Sequence, residues 1–216
     1  MKVYKYYLIA ILIIIIDQTS KLLVYYNMEM GPIGEIRVMG DWFRLHYLLN
    51  PGMAFGLRWD NEYGKLALTF FRLIAMVGIG FYVYHLFKKG AKTGLLISMA
   101  LILGGAVGNV IDSTFYGVFL NNAPMGSSTP WFHGQVIDML FFPILDGFFP
   151  DWLPFVGGEH YLFFSPVFNI ADSSIFIGVV IILLFQKRFF PKKQEYDAPE
   201  TVNDAAEEES NSKIVD

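Results

Sequence analysis

The sequence predicts an all-α membrane protein: a bundle of four transmembrane helices carrying a small extracytoplasmic β element. Three observations predict it. The 216 residues are 54% hydrophobic, with 21 Phe and 12 Tyr, which is far more apolar than a soluble domain of this size. The apolar residues fall in long blocks, and four of these reach the roughly 20 residues that a helix needs to cross a bilayer. Lys and Arg gather beside the ends of the blocks, on the side that four alternating spans bring together.

The first span covers residues 6–26. Its opening, "MKVYK" followed by "YYLIAILIIII", has the form of a secretory signal. No small-residue cleavage site follows and three more spans do, so an uncleaved first helix is expected. The first outer loop, 28–64, reads as β structure. In "EIRVMGDWFRLHYLLNPGMAFGL" apolar and polar residues partly alternate through Ile36, Val38, Trp42, Phe43, Leu45 and Tyr47, and "NPG" at 50–52 marks a tight turn. Spans 65–87 and 93–112 are joined by a short turn holding Lys88, Lys89 and Lys92. The second outer loop, 113–166, is long and rich in aromatics and prolines, as in "FFPILDGFFPDWLPFVGGEHYLFFSP"; it suits either the lipid–water boundary or an ordinary packed loop. The fourth span covers 167–186 and is followed by Lys187, Arg188, Lys192 and Lys193. With Lys2 and Lys5 before the first span, all three basic clusters fall on one side. Both termini are therefore expected in the cytoplasm and both long loops outside, although these loops do carry Arg37, Arg44 and Arg58.

The formal charge of −4 describes the tail rather than the body. From Gln194 onward eight acidic residues face Lys213 alone, which leaves the tail at about −7 and the rest at about +3. Residues 194–216 are expected to be a disordered acidic tail behind a membrane domain of residues 1–190. The absence of Cys excludes disulfides, thiolate metal sites and a Cys nucleophile. His46, His85, His133 and His160 lack metal-ligand spacing, and there is no Walker loop, Rossmann glycine pattern or basic stripe, so neither a cofactor or metal nor a nucleic-acid partner is expected.

The polar residues inside apolar surroundings are the candidates for chemistry, because a charge in a membrane segment is costly unless it is paired or used. The third span ends "GGAVGNVIDSTFYG" and the fourth begins "FNIADSS". Each holds Asn-x-x-Asp, as Asn109 with Asp112 and Asn169 with Asp172, and a spacing of three puts each pair on one helix face. The two spans run in opposite directions, so both motifs arrive at the outer membrane surface. Helix capping would explain Asn169 but not an Asp at the end of the third span. No Lys or Arg lies within ten residues of Asp172. Asp138, in "HGQVIDMLFF", is a third acid, flanked by Val136, Ile137, Met139 and Leu140; it reads as a group in a partly dry site or as a turn carboxylate. Asp17 has Lys21 four residues on, which favours a self-neutralising structural pair with the Lys snorkelling outward. Ser20 and Lys21 point about 100° apart on a helix, a poor geometry for a Ser/Lys dyad.

Taken in order, "DQTSK" (17–21), "NPGMAFG" (50–56), "GGAVGNVIDSTFYG" (104–117), "VIDML" (136–140) and "FNIADSS" (168–174) resemble the lipoprotein signal peptidases, or signal peptidase II, over residues 1 to about 190. These are aspartic peptidases of the bacterial inner membrane, which remove signal peptides from prolipoproteins by cutting before a lipid-modified Cys. The resemblance implies a catalytic pair at Asp138 and Asp172. It implies substrate-binding or supporting roles for Asp17, Asn50, Gly52, Asn109, Asp112 and Asn169. It implies diacylglyceryl-modified prolipoproteins and membrane lipids as partners, a monomer, and an active site near the outer face. Two close carboxylates suit the chemistry, because they do not easily both ionise and one keeps a proton while the other activates water. Which Asp holds the proton stays open.

The chain departs from the family at Ser113, where an Arg usually follows the Asp, and 117–135 and 142–164 are longer than usual. Two other readings remain. A proton-coupled transporter would also use membrane acids, although four spans are few and no inverted repeat is evident. A non-catalytic scaffold would use its aromatic loops to bind a partner. If the usual Arg is only structural, Ser113→Arg is expected to be tolerated, and loss of folding on purification would show that this chain has repacked there.

Overall fold

In a computed structural model of the chain, residues 2–52, 62–143, 145–163 and 166–191 are described. The acidic tail expected from residue 194, Arg58, and 53–56 of the "NPGMAFG" stretch lie outside the described residues.

The helices follow the apolar blocks. Helix α1 spans Tyr4–Asn27 and α2 spans Glu62–Lys88. Helix α3, Thr93–Ile111, continues through one π-helical turn, Asp112–Tyr116, into the short α4, Gly117–Phe119. The third apolar helix thus runs on to Phe119 rather than stopping at 112. The fourth is shorter than its hydropathy suggests. Val167–Phe168 forms a strand, β6, and Asn169 caps the helix α5, Ile170–Leu184, its Oδ1 accepting from the Asp172 N–H at 2.9 Å. A last turn, α6, covers Gln186–Phe189. Among the described residues, three helices are therefore long and apolar enough to cross a membrane, and α5 is a shorter apolar one.

Packing puts α3 at the centre, between α1, α2 and α5. Small residues make this possible. A Cβ on Gly105 would run into the Ala171 carbonyl oxygen, and one on Gly108 would stand 2.6 Å from Asp17 Oδ2. At one end Tyr6, Ala10, Val83, Leu86, Leu95, Leu96, Ala100 and Leu103 form a dry core. The basic residues gather at that end, where Lys92 Nζ also donates to the Arg188 carbonyl oxygen. The outer helix faces stay apolar, with Leu8, Leu12, Phe71, Ile74, Phe81, Phe176 and Leu184 all exposed, as a lipid-facing surface requires.

The opposite end carries the sheet. Strands β1 (Ile36–Met39), β2 (Phe43–Asn50) and β3 (Val136–Phe141) join β6 in the antiparallel order β1-β2-β3-β6. The β reading of the first outer loop holds, and Asp138 lies in a strand rather than a turn. Its register puts Asp138 opposite Leu48 and Leu140 opposite Phe168, so β3 is pinned between the "NPG" corner and the start of α5. A second core of Val24, Tyr47, Tyr116, Leu120, Ile137 and Met139 seals the sheet to α1 and the end of α3. The long aromatic loop is itself a hairpin, β4 (Leu145–Phe148) with β5 (His160–Phe163), and Phe148, Trp152 and Phe155 beyond and along it are exposed.

Because α5 touches α3 at Gly105 with no room for a side chain, Gly105→Val is expected to destabilise the fold by about 1–3 kcal/mol. Thermal unfolding in detergent measures it, with Gly78→Ala on α2 as the control, where an added Cβ meets nothing within 4 Å.

Candidate active site

Lys21 is fully buried and does not snorkel. Its ammonium group has three donors and all three are used: Asp17 Oδ2 at 2.8 Å, Asp112 Oδ2 at 2.7 Å and Asn109 Oδ1 at 3.1 Å. The local Asp17–Lys21 pair forms, and Asp112 from another helix joins it to make a triad. The two carboxylates leave one excess negative charge, which further donors meet. Gln18 Nε2 donates to Asp112 Oδ1 at 2.9 Å and is held by Tyr116, whose hydroxyl donates to Gln18 Oε1 at 3.0 Å. The Ala171 N–H donates to Asp17 Oδ1 at 2.9 Å, and the Ile137 N–H reaches Asp112 Oδ2 at 3.4 Å. One buried cluster therefore ties α1 to the end of α3, to β3 and to the first turn of α5.

That cluster orients two amides. Lys21 can only donate, so Asn109 must turn its oxygen toward it and its nitrogen away. Asn109 Nδ2 then donates to Asp172 Oδ1 at 2.7 Å. Asn169 is fixed by the same logic. Its Oδ1 faces the Asp172 N–H, so its Nδ2 donates to Asp138 Oδ1 at 2.7 Å. The amides touch each other at 3.3 Å, Asn169 Nδ2 to Asn109 Oδ1. Asp138 and Asp172 are in this way hung from two adjoining Asn side chains. Asp138 is buried, and its second oxygen accepts from Asn50 Nδ2 at 2.9 Å. Asn50 is held in turn by the Gly52 N–H, which donates to Asn50 Oδ1 at 2.8 Å across the tight turn. Asp172 is half-buried, and among the described residues its Oδ2 accepts no hydrogen bond, so that oxygen is the open one.

Burial, and then the neighbouring Asp172 carboxylate, push the Asp138 carboxyl up to about 7 against the pull of the Asn50 and Asn169 amides. All eight residues singled out in the sequence thus converge on one end of the helices. Asp17 and Asp112 lie in the buried cluster, Asn109 and Asn169 form the link, and Asn50 and Gly52 flank Asp138. Sequence reasoning missed three contributors. Gln18 stands inside "DQTSK" and carried no signal of its own. Lys21 was read as a local partner, since spacing cannot show an acid from another helix. Arg72 did carry a signal, a lone Arg within an apolar span. Its Nη1 donates to Ser113 Oγ at 3.0 Å.

A family model described as signal peptidase (SPase) II matches residues 9–188. The chain belongs to the signal peptidase II family. The lipoprotein signal peptidase of Amoebophilus asiaticus is 46% identical over 217 residues, covering all of this chain and 91% of that one. The lipoprotein signal peptidase of Porphyromonas gingivalis is 41% identical over 193 residues, covering 83% of this chain and 81% of that one. Among solved structures, one bacterial membrane enzyme has a TM-score of 0.58 at 24% identity, over 90% of this chain and 94% of its own, and shares the fold. Another has a TM-score of 0.54 at 26% identity, over 84% of this chain and 92% of its own. Membership of this family makes the chain a membrane protease.

Removing the ammonium group would leave two buried carboxylates without their counter-ion. Lys21→Met is expected to cost about 3–5 kcal/mol of stability, read from thermal unfolding of the purified protein in detergent.

Proposed function

We propose that the chain cleaves its substrates as an aspartic endopeptidase, with Asp138 and Asp172 as the catalytic pair. The signal peptidase II family to which it belongs removes signal peptides from prolipoproteins, and we infer that the cut falls before a diacylglyceryl-modified Cys. The observation that carries the reading is the pairing of Asp138 and Asp172 through Asn169 and Asn109, each amide held with its nitrogen toward a carboxylate.

Two carboxylates that share a site do not easily both ionise, so one keeps a proton. Asp138 is the better proton holder, being buried, with its carboxyl raised to about 7. Asp172 is the better base. It lies in the first turn of α5, where helix N–H groups favour an anion, and among the described residues its Oδ2 accepts no hydrogen bond. In the forward step Asp172 takes a proton from water as the water oxygen bonds to the scissile carbonyl carbon. Asp138 gives its proton to the carbonyl oxygen, forming a neutral tetrahedral diol. When that diol collapses the C–N bond breaks, the nitrogen takes the proton from Asp172, and the hydroxyl proton returns to Asp138. Both acids end as they began.

The membrane setting follows from the same reading. Helices α1, α2, α3 and α5 form a four-span bundle in the bacterial inner membrane. The basic end, with Lys2, Lys5, Lys88, Lys89, Lys92, Lys187 and Arg188, faces the cytoplasm. The sheet and the acids then lie at the outer face, where a lipid-bearing substrate reaches them sideways from the bilayer. Residues 1–190 are the peptidase domain, and 194–216 a disordered cytoplasmic tail.

The test is a gel-shift assay with purified protein in detergent and a diacylglyceryl-modified prolipoprotein. Asp138→Asn and Asp172→Asn are each expected to lower turnover by about a thousandfold or more while unfolding at the wild-type temperature. Appreciable turnover by either would remove it from the pair. Proton flux in liposomes without cleavage would support transport instead. Wild-type kcat/KM is expected to fall as pH rises through about 7, because the Asp138 proton is then lost.

A further inference from the structure

Arg72 is a cation on a helix built for lipid. Its neighbours Phe70, Phe71 and Ile74 face outward, and an unpaired charge at such a position is costly. Its side chain turns inward. Nη1 donates to Ser113 Oγ at 3.0 Å, and the guanidinium lies beside Gly52, where an added Cβ would stand 3.2 and 3.4 Å from its two Nη atoms and 2.8 Å from Leu68 Cδ2. Ser113 follows Asp112, and Gly52 holds Asn50, the amide on Asp138. The guanidinium is therefore wedged between the two segments that carry the supports of the acid pair.

Its sole hydrogen-bond partner among the described residues is a neutral hydroxyl. The charges that act on it are those of Asp172, Asp112 and Asp138. Asp112 is already bonded to Lys21, and Lys21 also faces Asp17. The other cation on this face of α2, Lys65, acts on Arg72 only by repulsion and donates to the Pro51 carbonyl oxygen at 2.7 Å. Lys21, bonded to Asp17 and Asp112, also acts on Asp138, whereas Arg72 holds no carboxylate among the described residues and its charge faces the pair uncommitted.

We propose that Arg72 is a positioning residue for the reaction: its fixed charge keeps one carboxylate of the Asp138–Asp172 pair ionised, and it delivers from α2 the guanidinium that the family usually carries at the place of Ser113. The proposal rests on Asp138 and Asp172 being the catalytic pair. It also accounts for Ser113. That residue is fully buried against Arg72, and a second guanidinium there would bring two like charges together. Ser113→Arg alone is then no longer expected to be tolerated, and the Arg and the Ser read as a reciprocal exchange between two helices.

The experiment is the pH dependence of kcat/KM on the lipid-modified prolipoprotein for five full-length proteins: wild type, Arg72→Gln, Arg72→Lys, Ser113→Arg and the double variant Arg72→Gln/Ser113→Arg. Removing a nearby positive charge makes a carboxylate harder to ionise. Arg72→Gln is therefore expected to move both limbs of the profile up by about one pH unit, a loss of about tenfold on the acid side. Arg72→Lys keeps the limbs in place, and the double variant restores them. Ser113→Arg alone lowers the unfolding temperature. Limbs unmoved in Arg72→Gln, or equal losses in the Gln and Lys variants with wild-type limbs, would mean a packing role and overturn the proposal. Should Arg72→Gln not fold, unchanged limbs in both Arg72→Lys and the double variant support it, and displaced limbs in both overturn it. Asp138→Asn and Asp172→Asn run alongside. Turnover by either would show that the pair itself fails, a result distinct from failure of Arg72 beside inactive Asp variants.

Discussion

A buried ammonium group organises the functional end of this protein. Lys21 can donate three hydrogen bonds and accept none, so whatever surrounds it must present oxygen. Asp17 and Asp112 meet that demand with charge, and Asn109 meets it with its amide oxygen. The consequences run outward from there. Asp17 holds the first turn of α5 through Ala171, and Asp112 approaches β3 through Ile137. Asn109, turned by Lys21, offers its nitrogen to Asp172. The ion cluster is thus less a source of net stability than a device for orientation. It converts the positions of three helices and a strand into the direction of one N–H bond.

The bilayer supplies the second constraint. Lipid gives no hydrophobic drive for helices to meet, so contact must come from close packing and polar bonds. Gly105 and Gly108 let α5 and α1 come against α3, and Ser174 Oγ adds a bond to the Leu101 carbonyl oxygen across the helix pair. The same glycine that makes room for α1 leaves a gap into which the Asp17 carboxylate fits. Close packing and the polar cluster are therefore one feature of the interface. Beyond the helices, the sheet gives Asp138 what a loop could not: a fixed register opposite Leu48 of β2, with β6 pairing further along at Leu140 and Phe141, and with Asn169 and Asp112 reaching the main chain of Ile137.

Much of this was legible in the sequence, and what was not has physical reasons. The apolar blocks gave the helices because membrane spans write their length directly into composition. The two Asn-x-x-Asp motifs announced polar groups at one end of two spans. Spacing could not show that the bonds cross over, Asn109 serving Asp172 and Asn169 serving Asp138, since that depends on helix rotation about α3. Hydropathy overran the start of α5, because Val167 and Phe168 are as apolar as a helix turn while pairing as a strand with β3. Lys21 was expected to reach outward, and a single helix gives no hint that an acid from another waits beside it. The acids were named by ordered family motifs rather than by periodicity. Arg72 lay outside those motifs and went unread, although an Arg between Phe71 and Leu73 is as conspicuous as any acid here.

The central claim is that Asp138 and Asp172 share a single proton near neutral pH. Infrared difference titration of the purified protein, with isotope-labelled Asp to mark the carboxyl bands, measures this directly. One protonated carboxyl is expected to disappear with a midpoint near 7 and to be displaced from it in both Asp138→Asn and Asp172→Asn. Two carboxylates already ionised at mildly acidic pH, or a titrating band indifferent to both substitutions, would contradict it.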